Sequence, residues 1–348
     1  MTIRLSSVTK LYGSHAALND VSLSVETGDF FVVLGPSGCG KSTLLRAIAG
    51  LEPLDGGDIH LGDAHVAGRH LHVAPEARNV GVVFQSYALW PHMSVKQNVA
   101  FPLATARRAR SYVEARTNAC LETVELTAYA GRKPSDLSGG QRQRVALARC
   151  LAQGAQTVLM DEPLANLDPH LRTAMEEELA EFHAKSGATT LFITHDQREA
   201  MALASKVALM WDGKILQADT PQQLYDRPVN AKVAGFIGRS TLLSCDIAKV
   251  RGEKVLIMLA GEAFEVPCVG GMGEGPARVM VRPEHVRISG EGRSLMTVLE
   301  RVTYRGGYFE AHARITGNGQ SVLCNLPHNA APGDVLPIAL DGGWVLPG

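Results

Sequence analysis

The segment Gly35-Pro36-Ser37-Gly38-Cys39-Gly40-Lys41-Ser42 fits the pattern G-x4-G-K-[ST], and it constrains the fold of this chain more than any other stretch. The pattern needs a strand running in and a helix running out. Phe30 to Leu34 is a continuous apolar run between Asp29 and Gly35, and Lys41 to Ala49 reads as a helix. Glycines there let backbone N–H groups turn inward around an anion, and the helix N-terminus adds positive potential. Lys41 is expected to reach the β- and γ-phosphates of a nucleotide, and Ser42 to ligate Mg²⁺. The bland alternative, a Gly-rich turn with a solvated lysine, lacks a reason for the strand and helix on either side.

Other apolar runs resemble the first: Val80 to Phe84, Thr157 to Met160 and Thr190 to Ile193. Continuous rather than alternating runs predict strands buried on both faces, as in a helix-covered, largely parallel sheet. Pro169 is expected at the first position of a helix capped by Asp168 and ended by Gly187, and Thr220-Pro221-Gln222-Gln223 has the spacing of a capping box. Val158 to Met160 ends in Asp161-Glu162, so Asp161 is expected to hold Mg²⁺ and Glu162 to orient or activate a hydrolytic water. Gln85 and His195 also sit just past predicted strands. Ligands of open parallel sheets bind beyond the carboxyl ends of the strands, so Gly35, Gln85, Asp161 and His195 are expected on one edge. Gln85 then faces the metal or water and His195 the γ-phosphate. Taken singly, each has a plain structural alternative as a cap or packed residue.

Composition narrows the class. The 348 residues suggest about two domains, and 45% hydrophobic residues supply a core. Charges nearly cancel, 34 basic against 35 acidic, and from Phe236 onward there are 11 of each. No half is basic enough for a dedicated nucleic-acid or anionic-membrane surface. No run approaches the roughly 18 apolar residues of a spanning helix, and Met1 to Lys10 lacks a signal-peptide core. Six dispersed cysteines without a CxxC pair fit reduced cytosolic thiols better than disulfides or zinc. After Gly235-Phe236-Ile237-Gly238 the pattern shifts to short alternating stretches, Lys254 to Leu259, Ala277 to Val281 and Tyr308 to Ile315, separated by Gly-Gly turns. That predicts a second, all-β domain, a small barrel or sandwich. A histidine group, His60, His65, His70 and His72, has no ligand spacing and is expected on a solvated surface.

Leu137-Ser138-Gly139-Gly140-Gln141 opens a helical stretch, and Gln141 lies 20 residues before Asp161. In that position it matches the signature motif of ABC ATPases, and nearly the whole chain resembles the ATP-binding subunit of a bacterial ABC importer. The resemblance implies an α/β phosphate-loop NTPase cassette with a helical subdomain over residues 1–235, followed by an OB-like TOBE domain over 236–348. Tyr12 then matches the aromatic that stacks on adenine. Gly35, Pro36, Ser37, Gly38, Cys39, Gly40, Lys41, Ser42 and Thr43 match the Walker A loop, and Gln85 the Q-loop. Ser138, Gly139, Gly140 and Gln141 match the signature, Asp161 and Glu162 the Walker B pair, Leu164 to Asp168 the D-loop, and His195 the switch histidine. Ala165 and Arg198 stand where relatives often carry Ser and Glu.

The same resemblance implies ATP and Mg²⁺ as ligands, Glu162 as general base, and two copies packed head to tail with each ATP shared. It implies integral membrane permease subunits, a separate solute-binding protein, and a peripheral place at the cytoplasmic face of the inner membrane, with no nucleic-acid partner. Trp90 and Met93 are candidates for the permease contact. Arg282-Pro283-Glu284-His285-Val286 resembles a motif of the accessory β-domain, with Arg282 read as a structural salt-bridge partner. The segments near Trp90 and Gly235 favour polyamine or ferric iron as solute over sugar or oxyanion. A soluble ABC ATPase acting on ribosomes or DNA usually has two cassettes or basic insertions, and a phosphate-loop kinase lacks the Ser138-Gly139-Gly140-Gln141 loop.

Overall fold

A computed structural model of the chain describes residues 1–348 except Asn166, Asp168, Gly290, Glu291, Gly292, His328 and Gly348, and except the side chains of Pro169, His170 and Leu171. Contacts divide it into two compact units, Met1–Pro221 and Gln222–Gly348.

In chain order the strands of the first unit are β1 (Ile3–Tyr12), β2 (His15–Val25), β3 (Phe30–Leu34), β4 (Gly56–Leu61), β5 (Ala64–Gly68), β6 (Leu71–His72), β7 (Val80–Val83), β8 (Thr157–Asp161), β9 (Thr189–Thr194), β10 (Lys206–Trp211) and β11 (Lys214–Asp219). Its helices are α1 (Lys41–Ala49), α2 (Val95–Thr105), α3 (Arg110–Thr123), α4 (Gly139–Gln153), α5 (Pro169–Ser186) and α6 (Gln197–Leu203). One sheet has the order β11-β10-β3-β9-β8-β7. All neighbours from β10 to β7 are parallel, and only β11 is antiparallel. The four apolar runs therefore form adjacent strands, and every residue of β3 and β9 is buried.

A second sheet, in the order β2-β1-β4-β5-β6, is antiparallel throughout and was not foreseen. Its strands carry interrupted patterns, since shifts in pairing register between Leu5 and Leu11 break the alternation of buried and exposed residues. Both sheets feed one core with α1, in which Ile3, Phe31, Leu44, Ile48, Ile59, Leu191 and Ile193 have 0–1% exposure. Each such large side chain contributes about 1.5–3 kcal/mol by burial. The helices α2, α3 and α4 form a separate core around Val99, Leu121, Leu126 and Val145. This is the helical subdomain.

The second unit contains the rest of α7 (Pro221–Asp226), α8 (Ala231–Phe236), and β12 (Thr241–Arg251), β13 (Lys254–Leu259), β14 (Glu262–Pro267), β15 (Gly275–Val281), β16 (Val286–Ile288), β17 (Leu295–Tyr304), β18 (Phe309–Ile315), β19 (Ser321–Leu326), β20 (Val335–Leu340) and β21 (Trp344–Leu346). Two five-stranded antiparallel sheets, β14-β13-β12-β15-β21 and β16-β20-β17-β18-β19, share one core. The unit is β-rich, with α7 and α8 ahead of its strands, and the predicted stretches Lys254 to Leu259 and Ala277 to Val281 fall on strands. Arg282 is fully buried, but its partners are carbonyls rather than a carboxylate. It donates to Ile237 O at 2.5 Å and Tyr225 O at 2.6 Å, with its guanidinium 4.0 Å from the Tyr225 ring centroid. The role is structural, as read from sequence, yet among the described residues no salt bridge carries it.

All six cysteines are buried and free. No helix among the described residues is long and apolar enough to cross a membrane. His60 and His65 stack 4.6 Å apart and His65 pairs with Asp58 at 2.8 Å. Among the described residues no group of three or more His, Cys, Asp or Glu side chains is placed to hold a metal ion.

Candidate active site

Strand β3 ends at Leu34 and the chain turns at once into the phosphate loop. A Cβ on Gly35 would lie 2.2 Å from Met210 O, and one on Gly40 would lie 2.1 Å from Ala17 O. Gly38 and Gly40 also have φ of +80° and +105°, which L side chains rarely adopt. The glycines are thus imposed by crowding and by backbone shape. Ser37 and Gly38 are exposed at the tip, and α1 starts behind them at Lys41.

Lys41 is only 4% exposed and folds back into the loop, where Nζ donates to Gly35 O and Pro36 O, both at 2.9 Å. Ser42 Oγ donates to Asp161 Oδ1 at 2.9 Å. This pairs the first turn of α1 with the end of β8, two residues 119 positions apart. One residue further, Glu162 has φ of +45° and its Oε2 lies 3.1 Å from His195 Nδ1, at the end of β9. A left-handed φ in a non-glycine residue marks strain that the surroundings hold in place, here by the bond from Glu162 N to Ile193 O at 3.1 Å. The Glu162 side chain is 22% exposed and that of His195 52%, so the pair faces solvent at the sheet edge.

The strand ends bring Gly35, Asp161 and His195 to the same edge, with Leu34 paired to Thr194 and Asp161 to Ile193. Gln85 lies just past β7, exposed, beside the end of β8. Tyr12, at the end of β1, is 47% exposed with Lys10 Nζ 5.5 Å from its ring centroid. Cys39 is buried within the loop, and burial pushes its thiol pKa up, so it is a packing residue rather than a nucleophile.

Ser138 and Gln141 behave differently. They form a capping box at the start of α4: Ser138 Oγ accepts from Gln141 N at 3.3 Å, and Gln141 Oε1 accepts from Ser138 N at 3.0 Å. Their side chains thus shape the helix start, and the first-turn N–H groups of such a helix, at Gly139 and Gly140, have no intrahelical carbonyl to bond. Thr43 follows Ser42 in α1 and is half-buried. Asp168 lies outside the described residues. Sequence reading missed Arg149, whose guanidinium donates to Tyr87 O at 3.1 Å and Ala88 O at 2.8 Å and so fixes the stretch after Gln85. Tyr87 and Ala88 both have positive φ, and no local sequence pattern announces that.

The donor set fits a hard divalent cation. A hydroxyl and a carboxylate oxygen already meet, and Mg²⁺ is usually held by one or two carboxylates plus substrate phosphates rather than by a full protein cage.

The family model for ABC transporters matches residues 18–165, and the model for TOBE domains matches residues 279–346. The spermidine/putrescine import ATP-binding protein PotA 2 of Pseudomonas aeruginosa is 42% identical over 342 residues, 95% of this chain and 92% of that protein. This chain belongs to the ABC transporter ATPase family. It is an ATPase of the kind that energises solute import, with a cassette followed by a TOBE domain. The trehalose/maltose import ATP-binding protein MalK of Thermococcus litoralis is 41% identical over 90% of this chain and 88% of its own length. Among solved structures, the dimeric post-hydrolysis state of the ATP-binding cassette MJ0796 bound to ADP and Pi superposes with a TM-score of 0.55 at 31% identity. It covers 63% of this chain and 98% of its own. The ABC fold thus accounts for the parallel sheet, the antiparallel sheet beside it and the helical subdomain.

Proposed function

We propose that this ABC ATPase hydrolyses ATP between two copies of itself to drive a membrane permease, with Glu162 as general base and His195 as its partner. The observation that carries this reading is the pairing of Glu162 with His195 at 3.1 Å, one residue beyond the Ser42–Asp161 contact at 2.9 Å. The loop glycines aim backbone N–H groups at the β- and γ-phosphates, and Lys41 is held inside the loop where their charge lies. Tyr12 supplies an exposed ring for adenine. Ser42, Asp161 and Gln85 would hold Mg²⁺, which would neutralise charge on the phosphates. Glu162 takes the proton of the attacking water, and His195 donates to the γ-phosphate and orients the carboxylate. The signature residues Ser138 to Gln141 present a helix N-terminus to the γ-phosphate held by the other copy.

Glu162→Gln tests the assignment. The variant should bind ATP with near-normal affinity, lose turnover by about 10²–10⁴-fold, and accumulate as an ATP-bound dimer in gel filtration. Near-normal steady-state hydrolysis would overturn it.

For the permease contact, a groove of about 550 Å³ runs along α2, α3 and α4, lined by Trp90, Phe101, Tyr112, Arg116 and Arg149. Trp90 is half-buried, its ring 4.0 Å from that of Phe101 and tilted by 37°, with the Arg149 guanidinium over it at 5.0 Å, and Met93 is half-buried nearby. Trp90→Ala should keep basal hydrolysis and lose assembly with the permease on co-purification. A polyamine is the solute class proposed, since spermidine/putrescine import proteins stand at 42% and 44% identity. With permease and binding protein reconstituted, spermidine rather than maltose should stimulate hydrolysis.

A further inference from the structure

Glu162 and His195 sit at the ends of different strands, and each leads into its own loop. After Glu162 the chain coils on itself, with Ala165 N bonded to Glu162 O and Leu167 N to Leu164 O, both at 3.2 Å. After His195 comes Asp196, the N-cap of α6, whose Oδ1 accepts from Arg198 N at 2.8 Å. One side chain joins the far ends of both loops. Arg172, from α5, donates through Nη2 to Leu167 O at 3.2 Å and through Nη1 to Asp196 Oδ2 at 2.9 Å.

These contacts close a ring: Glu162, its loop to Leu167, Arg172, Asp196, His195, and back to Glu162. The ring is braced from behind. Arg172 Nε lies 3.7 Å from Glu199 Oε1, an ion-pair distance. Glu199 Oε2 accepts from Thr194 Oγ1 at 2.5 Å, and Thr194 Oγ1 accepts from Asp196 N at 2.9 Å. Side-chain exposure is 20% for Arg172, 18% for Asp196 and 4% for Glu199, so the bonds are screened little by water. Leu167 also lies against the signature, since a Cβ on Gly139 would sit 3.1 Å from its Cδ2. A guanidinium is a rigid fork that reaches two acceptors at a fixed angle, which an ammonium does not.

We infer that Arg172 is a positioning residue for ATP hydrolysis: it sets the geometry of Glu162 against His195 by tying their two loops together. The inference rests on the roles proposed above for Glu162 and His195. The physical reason is that a displacement near 1 Å at a reacting group costs on the order of 100-fold in rate. A residue that only stapled α5 to α6 would affect melting temperature and not turnover per folded molecule.

The experiment uses the purified full chain with ATP and Mg²⁺. Arg172→Met should lower kcat by about 10–100-fold with KM for ATP changed less than about threefold. Arg172→Lys should recover only part, because it keeps the charge and loses the fork. Asp196→Asn, which preserves a good helix cap, should reproduce part of the loss from the other end of the bond. In a His195→Ala background, Arg172→Met should cost little more, since its effect passes through the histidine. An equal further loss in that background, or a rise in KM at unchanged kcat, overturns the inference and leaves the histidine assignment standing. Full turnover by His195→Ala alone overturns that assignment, and this inference with it. Loss of Arg172→Met activity explained wholly by a lower folded fraction, with Asp196→Asn fully active, also overturns it.

Discussion

Lys41 and Arg282 are both buried cations held by backbone carbonyls, one in each unit, and their surroundings suit opposite roles. Lys41 is 4% exposed and bonds Gly35 O and Pro36 O in a loop whose tip is open. Arg282 has no exposure and bonds Ile237 O and Tyr225 O beneath the Tyr225 ring, and a Cβ on Gly238 would come within 3.0 Å of its Nη1. Burial pulls the Arg282 pKa down, with Tyr225 and Glu284 acting in the other direction. The difference is access. On the proposed reading a phosphate oxygen entering at the open tip takes the place of the Gly35 and Pro36 carbonyls on Lys41 Nζ, whereas nothing can replace the carbonyls around Arg282 without dismantling the packing. On that reading a buried charge serves as a binding group beside an open loop tip, and as a rivet inside closed packing.

That contrast can be broken experimentally. Arg282→Met should cost the largest amount, about 3–5 kcal/mol, because it strands carbonyls in a packed interior. Calorimetry should report it as a lower melting transition of the second unit, with ATP affinity unchanged. Lys41→Ala should do the reverse. It should weaken ATP binding by about 10–100-fold, as expected for lost charge-assisted bonds, and move the melting temperature little. If Lys41→Ala unfolded the chain and Arg282→Met did not, the distinction drawn from access would be wrong. Ser138→Ala sharpens the picture at the smallest scale. Losing the cap should cost about 1 kcal/mol of helix stability. A much larger drop in turnover than in stability, by steady-state assay against thermal melting, would show that Ser138 acts on the phosphate as well as on its helix.

The fold was legible where chemistry is local. The strand ahead of Gly35, the helix after Lys41 and the strand ahead of Asp161 all follow from short runs, because a doubly buried strand leaves a continuous apolar signature. The antiparallel sheet was not legible, since register shifts between Leu5 and Leu11 scramble its alternation. Arg282 reads from the sequence as a structural salt-bridge partner, but its bonds go to carbonyls. In the fold, Glu284 instead accepts from the Tyr225 hydroxyl. Arg149 and Arg172 were invisible for another reason. Arg149 bonds the main-chain carbonyls of Tyr87 and Ala88, which have no sequence identity, and Arg172 joins the Leu167 carbonyl to Asp196, a carboxylate 24 positions away on another element.

The sequence alone determined the strand–loop–helix around Gly35 to Lys41, the acidic strand end, the helix after Ser138 and the change to a β-rich C-terminal part. These are residue types at fixed short spacings, and backbone sterics and strand or helix periodicity translate them directly. Tertiary structure alone decided that Ser42 meets Asp161, that Glu162 meets His195, and that Arg172 holds the loops that carry them. The side-chain pairs among them, Arg172–Asp196, Glu162–His195 and Ser42–Asp161, join residues 24 to 119 positions apart. They exist only because parallel strands line up their carboxyl ends, which is a property of the sheet and of no single segment.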